Sequence, residues 1–425
     1  MRLTQTPRRA ACNRAARRAA LFVVAAAAAL PAGAAGAAPA WAAMPATLLP
    51  HRLPVADAGT DTGTATGWRL QAEAADFEAD DATAVRDLDG DWARYHPRAG
   101  RNRALQAARL ELSAARQGWE LAAALRSEIL IDGSRGAFDV VQAYKQRRTP
   151  ADGSAFAVDA RERGVVLAGL RVARSWSLGQ AAAAAPPPWQ LTAALTLQSV
   201  RRVQQVDAQG TVRYDLATGY AFDATTRRLD SSKRFAGFGT EDAQGQGASA
   251  DLGLLWQPSA QGFVNLSVTD LWSRLRVRGV AREDARLSSA TRQFDADGYL
   301  DYRPLISGRY TADALRWRLP RKTALAAGWR LDGGAPGGPG GPLDGAVLGA
   351  RWEHVDGLHL PAVWGQWPLR GAAAGWALQA EAELRFRTLG LGLRGPGVQA
   401  MLRTRSLPVG QTRALGWQAA VSWPW

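Results

Sequence analysis

Trp376-Ala377-Leu378-Gln379-Ala380-Glu381-Ala382-Glu383-Leu384-Arg385-Phe386-Arg387 alternates without a break. Trp376, Leu378, Ala380, Ala382, Leu384 and Phe386 form one face, and Gln379, Glu381, Glu383, Arg385 and Arg387 form the other. A period of two is the signature of a strand with unlike faces. The run is also long: a soluble strand typically has about five or six residues, whereas a tilted strand crossing a bilayer needs about nine to eleven.

The pattern recurs on both sides of this run. Trp68, Leu70, Ala72 and Ala74 oppose Arg69, Gln71 and Glu73. Ala108, Leu110, Leu112 and Ala114 oppose Arg109, Glu111 and Ser113. Trp189 to Gln198 and Ala248 to Trp256 repeat it, and Leu415, Trp417, Ala419, Val421, Trp423 and Trp425 end the chain on it. Alanine is a poor strand former, but a wall facing lipid asks chiefly for an apolar surface. The reading is all-β: a transmembrane antiparallel β-barrel over 67–425 with about 14 strands, twelve to sixteen being compatible with the runs. Closure leaves no unpaired strand edge inside the bilayer.

Val264, Leu266 and Val268 lie on one phase while Leu271, Ser273, Leu275 and Val277 lie on the other. A bulge near Thr269-Asp270 accounts for the slip. Asp132-Gly133 reads as a tight turn. Ala79 to Arg103, the region around 207–246 and Ala281 to Arg309 read as long loops, and Pro186 to Pro188 and Gly333 to Pro342 as further breaks.

The amino terminus reads as an export signal, 1–42. Six arginines and no acid precede the apolar run Leu21 to Leu30, and Ala40-Trp41-Ala42 is an A-x-A site, placing cleavage near Ala42, before Ala43. The paired arginines Arg8-Arg9 and Arg17-Arg18 raise a twin-arginine route, but the residues that should follow are missing. The only cysteine, Cys12, lies within this leader, so the exported chain holds no disulfide or thiolate metal site. Removing the six leader arginines lowers the formal charge from +14 to +8. That balance suits anionic lipid or acidic solutes, and export argues against nucleic acid. Residues 43–66, without periodicity, read as a flexible lead-in or a small plug.

The last run, with Trp417, Val421, Trp423 and the terminal Trp425, resembles the terminal strand signal that bacterial outer-membrane barrels present to their barrel-assembly machinery. The resemblance implies an outer-membrane location and that these aromatic positions are read during insertion. Pro424 departs from it, in a place where a lost ladder donor is tolerable. Gly245 to Trp256, followed by Val264 to Val268, resembles a hairpin of the fatty-acid-transporter-like (FadL-like) barrels. That implies a lumen for hydrophobic molecules behind an N-terminal plug, although the plug's characteristic start is not evident after Ala43.

Arg274, Arg276 and Arg278, Arg316 and Arg318, and Arg385 and Arg387 fall on expected lumen faces, with Glu381 and Glu383 beside them. Such rows would attract anions in a wet pore, or pair with Glu73, Glu111, Glu381 and Glu383 and merely fill it. Trp68, Trp119, Trp256, Trp272, Trp329, Trp352 and Trp376 sit near ends of runs, as interfacial girdles require.

Other motifs fail on mechanism. Asp87-x-Asp89-x-Asp91 starts like a calcium loop, but Trp92 and Arg98 stand where glycine and glutamate are needed. Asp295, Asp297 and Asp301 form a second acidic set that reads as solvated charge. Gly390-x-Gly392-x-x-Gly395 runs into Pro396 and not into a helix, so it cannot cradle a pyrophosphate. His96, near Asp91, is the only catalytic candidate among four histidines. No cofactor and no metal site is expected, and the chain does not read as an enzyme. Three functions remain: a porin-like or FadL-like channel for small solutes, anionic or hydrophobic; a structural or assembly barrel of an envelope complex; and an outer-membrane hydrolase. Outer-membrane lipid and lipopolysaccharide are expected partners.

Overall fold

A computed structural model describes residues 67–425 apart from 89, 180–187, 234–242, 260, 295–299, 303 and 332–343. The export signal, the lead-in, Pro186, Pro187 and the Gly333–Pro342 break lie outside the described residues. So do Asp89, Asp295 and Asp297.

The strands are β1 (Arg69–Asp80), β2 (Asn102–Arg116), β3 (Trp119–Gly133), β4 (Ala155–Leu178), β5 (Trp189–Asp215), β6 (Gly219–Asp230), β7 (Gln244–Trp256), β8 (Gly262–Ser288), β9 (Arg292–Phe294), β10 (Leu300–Tyr302), β11 (Ile306–Trp317), β12 (Lys322–Arg330), β13 (Val347–Val355), β14 (Leu358–Pro368), β15 (Ala377–Glu383), β16 (Thr388–Gly395), β17 (Val398–Thr404) and β18 (Ala414–Pro424). One helix, α1 (Arg135–Gln146), follows β3. The barrel is closed, antiparallel and 14-stranded. β6 and β7 share one position between β5 and β8, and β11 and β12 share another beside β8. β9 and β10 form a separate hairpin.

Closure is made by β18 on β1, in register from Arg69 opposite Pro424 to Ala79 opposite Ala414. Trp68 and Trp425 exchange both backbone hydrogen bonds, at 2.9 and 2.7 Å. The end of the barrel that holds these termini also carries Trp119, Trp189, Trp256, Trp329 and Trp376, all exposed. Trp272 and Trp352 sit further up their strands. The two-residue β2–β3 and β16–β17 turns lie at this end and the long β1–β2 and β3–β4 connections at the other, as at the periplasmic and external ends of outer-membrane barrels.

The wall is uneven in height. β5 and β8 have 27 residues each, whereas β15 and β17 have seven. The regions expected to loop around 207–246 and 281–309 are largely strand. Both faces of these extensions meet water, so the apolar alternation that marks a lipid-facing strand is missing there. Charge pairing replaces it. Arg103, Asp132, Arg161, Asp207, Arg227, Asp284 and Arg309 are successive cross-strand partners over seven strands. The signs alternate along this row, and opposite charges directly across a sheet stabilise it. Arg161 lies 3.1 Å from Asp207, and Arg227 lies 3.2 Å from Asp284.

Asp132-Gly133 does not make a hairpin turn. Ser134 caps α1, its Oγ accepting from the Ala137 amide at 3.2 Å, a standard way to satisfy a free N-terminal donor. Trp92, Phe138 and Ala82 pack together under this end, joining the first external loop to α1. Tight hairpins are made instead by Gln117-Gly118 between β2 and β3 (φ 48° and 74°) and by Asp356-Gly357 between β13 and β14 (44° and 76°), both residues of each having the positive φ that a type I′ turn requires.

Candidate functional site: a closed lumen

Inward side chains fill the barrel in two layers. The inner one, toward the periplasmic end, is charged. Glu381 accepts from Arg351 at 2.8 Å and Arg403 at 3.2 Å, all three buried. Glu111 pairs with Arg171 at 2.9 Å and also with Arg109. Glu73 accepts from Gln418 at 3.1 Å.

The decisive contacts run across the lumen. β3 and β8 are not neighbours in the sheet, yet Arg126 Nη2 lies 2.5 Å from Asp270 Oδ2. Lys322 Nζ lies 2.8 Å from Glu128 and 3.3 Å from Asp270, and its side chain is 2% exposed. Arg126 also pairs with Glu128. The quartet holds two cations and two carboxylates and is neutral as a unit. Removing any one member would strand a buried charge. Further up, Arg163 of β4 reaches Asp356 in the β13–β14 turn at 3.3 Å.

Asp270 is in this position because of a bulge. The β7–β8 register slips between Ala250 and Leu252, opposite 268–272, and Asp270 has φ +53°. Its amide donates to Asp251 Oδ1 at 2.8 Å. The phase slip expected from the sequence is therefore present, and it aims a carboxylate at the opposite wall.

Above the quartet lies an apolar layer. Phe77, Leu105, Leu130, Leu358, Leu360 and Phe386 cluster on one side. Val165, Val203, Leu275, Val277, Trp317 and Leu319 cluster on the other. A cavity of about 30 Å³ separates them, lined among others by Leu105, Leu130, Val165 and Trp317, with Glu128 and Lys322 at its floor. The polar cavity below measures about 60 Å³. Ligand pockets run to about 300–1,000 Å³, so neither chamber admits a solute as it stands. The mouth, by contrast, is a wide charged vestibule of about 920 Å³ lined by the inner side of the tall wall. Trp317 Nε1 is buried beside the apolar cavity with no hydrogen-bond partner among the described residues.

The nominated arginines fall elsewhere. Arg274, Arg276, Arg278, Arg316 and Arg318 are exposed, and the residues alternating with them (Leu275, Val277, Trp317 and Leu319) are buried. Their phase is inverted relative to the expectation. Beyond the lipid the outer surface is wet, while the lumen is packed with apolar side chains. Glu381 and Glu383 do face inward. Glu383 accepts from the Arg385 and Phe386 amides at 2.6 and 2.9 Å, because β15 stops there and 384–387 turns. Phe386 is thereby 1% exposed instead of facing lipid. Arg385 grips Asp81 through two hydrogen bonds, at 2.7 and 2.5 Å, and Arg387 is exposed with φ +59°. The arginines of the charged layer and the quartet include Arg109, Arg126, Arg171, Arg351 and Arg403. Their strand alternation was visible, but partners on non-neighbouring strands were not.

His96 is exposed, its Nδ1 3.3 Å from the Arg94 carbonyl. Asp91 caps the Ala93 amide at 3.1 Å. Among the described residues no three His, Cys, Asp or Glu side chains are grouped to hold a metal ion.

No family model and no curated protein matches the chain. Several solved structures resemble it. The Pseudomonas putida toluene transporter TodX is 10% identical over 84% of this chain and 89% of its own, with a TM-score of 0.37. A TodX deltaS2S3 mutant, a monoaromatic hydrocarbon channel, is 9% identical over 84% and 90%, at 0.41. A Pseudomonas aeruginosa FadL homologue is 12% identical over 84% and 88%, at 0.34. The outer-membrane protease OmpT of Escherichia coli is 7% identical over 85% and 98%, at 0.21. The likeness is one of barrel architecture.

Proposed function

We propose that this protein is an outer-membrane passage for small, largely apolar solutes, held shut at rest by the Arg126–Glu128–Asp270–Lys322 quartet. The observation that carries the reading is the order of layers: a wide charged mouth, an apolar chamber, then ion pairs crossing the lumen. A barrel that served only as a scaffold would have no need for an apolar chamber under an open vestibule. Trp317 Nε1, without a partner among the described residues, gives that chamber a polar handle above Glu128 and Lys322, as small-molecule sites commonly have. We read 1–42 as the leader removed before Ala43, 43–66 as lead-in or plug, and Trp417, Val421, Trp423 and Trp425 as the signal for the assembly machinery.

Uptake by intact cells tests the passage. Cells expressing the chain should take up a small aromatic hydrocarbon faster than cells without it, with a smaller gain for a polar solute of equal size. No gain for either would overturn the passage, and equal gains would overturn its selectivity. The second reading, a scaffold barrel, is favoured by the closed lumen and the polar outer extensions. It predicts silence even after the quartet is broken. We place hydrolysis third, because His96 contacts a carbonyl and not a nucleophile.

A further inference from the structure

We propose that Arg274, Arg276 and Arg278 of β8 with Arg316 and Arg318 of β11 form an external site for the phosphate groups of a phosphorylated lipid in the outer leaflet. The five side chains are exposed. None has a hydrogen bond or ion pair with any described residue, in contrast to Arg161, Arg227, Arg286 and Arg309 of the tall wall, which pair with Asp207, Asp223 or Asp284.

Their placement is built into the strand. The bulge at Asp270, pinned from inside by Arg126 and Lys322, shifts the phase of β8 so that Ser273, Leu275 and Val277 point inward and the arginines outward. Arg276 lies directly opposite Arg316 in the β8–β11 ladder. Like charges facing each other across a ladder destabilise it, and among the described residues no carboxylate forms an ion pair with either arginine. An anion from outside would. On the other side Arg276 and Arg278 face Gln246 and Gln244, two amides able to donate as well.

The surroundings choose the anion. Trp272, 53% exposed, immediately precedes the patch on the outward face. Arg274 pairs with Ala248, whose next neighbour is Leu197, 61% exposed. The cations thus begin where the apolar wall ends, which is where headgroup phosphates lie. A free anion would find no reason in the apolar border, whereas a lipid satisfies both parts: acyl chains on Leu197, Leu266 and Trp272, phosphate on the arginines.

The site depends on membrane insertion but not on passage, so loss of conduction and loss of lipid binding are separable. The purified barrel in detergent is titrated with a phosphorylated lipid A and with its dephosphorylated form, and bound lipid is counted by native mass spectrometry. The phosphorylated form should bind more tightly, and added salt should weaken it. Replacing Arg274, Arg276 and Arg316 by Gln should weaken it about a hundredfold, at roughly fivefold per arginine. Replacing the paired Arg227 and Arg286 by Gln should leave it unchanged. Equal binding of both lipid forms by the unaltered protein would overturn the site without any variant. So would full binding by the triple variant, or equal loss in Arg227→Gln/Arg286→Gln.

Discussion

Replacing Lys322 by Met removes one of the two cations in the cross-lumen quartet. Arg126 then faces Glu128 and Asp270 alone, and the closed lumen encloses a net negative charge. Lys322 is 2% exposed and Asp270 3% exposed, so water cannot screen the excess while the lumen is shut. Removing one partner of a buried pair costs about 3–5 kcal/mol. An open, hydrated lumen does not bear that cost, so the closed-to-open ratio should fall by roughly a hundredfold to several thousandfold. Planar-bilayer recording reads this directly as a rise in the open fraction over the unaltered barrel. Lys322→Met/Asp270→Asn restores neutrality, leaving Arg126 with Glu128 on the same strand. Its open fraction should fall below that of Lys322→Met, though above the unaltered protein because the cross-lumen attraction is gone. A folded Lys322→Met barrel, shown by a heat-dependent gel shift, with the conductance of the unaltered protein would refute the gate. A double variant more open than the single one would refute the charge-balance argument.

Three further outcomes are expected. Hydrogen bonds from Arg282 and Arg227 hold the Asp284 carboxyl below its usual range despite the opposing effect of burial. A carboxyl with a depressed folded value contributes stability above its unfolded value, near 4, and loses it as pH falls through the folded one. Amide exchange at 282–287 and 306–311 should therefore accelerate as pH is lowered below about 4, after correction for intrinsic rates, and unchanged protection would contradict the charge row. Tyr95 donates to Asp139 at 2.6 Å between the first external loop and α1; burial and that bond push its pKa well up. Tyr95→Phe should weaken the local contact by about 1.5–3 kcal/mol, seen as faster proteolysis within 91–98 with no change in barrel heat stability; an unchanged cleavage rate would show that the bond does not anchor the loop. Trp423→Ala/Trp425→Ala should lower the fraction of heat-modifiable protein in the membrane several-fold, and full assembly would remove the terminal signal from the account.

The period of two was enough for the strands, the closure and the bulge at Asp270, because lipid outside and polar groups inside leave a mark at every second residue. The same rule failed where the lipid ends. Arg274 to Arg278 and Arg316 to Arg318 still alternate, but above the apolar band the sign of the alternation reverses. The tall extensions read as loops because Arg161, Asp207, Arg227 and Asp284 are partners only after folding, each on a different strand. The quartet was hidden for the same reason: Arg126 and Asp270 are 144 positions apart. Glu381 was legible as an inward charge, but its cations, Arg351 and Arg403, come from two strands that no local pattern singles out.

Closure itself can be measured with a single thiol. Cys12 is the chain's only cysteine and falls in the segment read as leader, so Ala107→Cys, at a position 1% exposed in the apolar layer, would be the only thiol in the exported chain. With a membrane-impermeant thiol reagent, the account predicts slow modification in the otherwise unaltered barrel and fast modification once Lys322→Met is added. Rapid, complete modification without Lys322→Met would contradict a lumen closed by its own side chains.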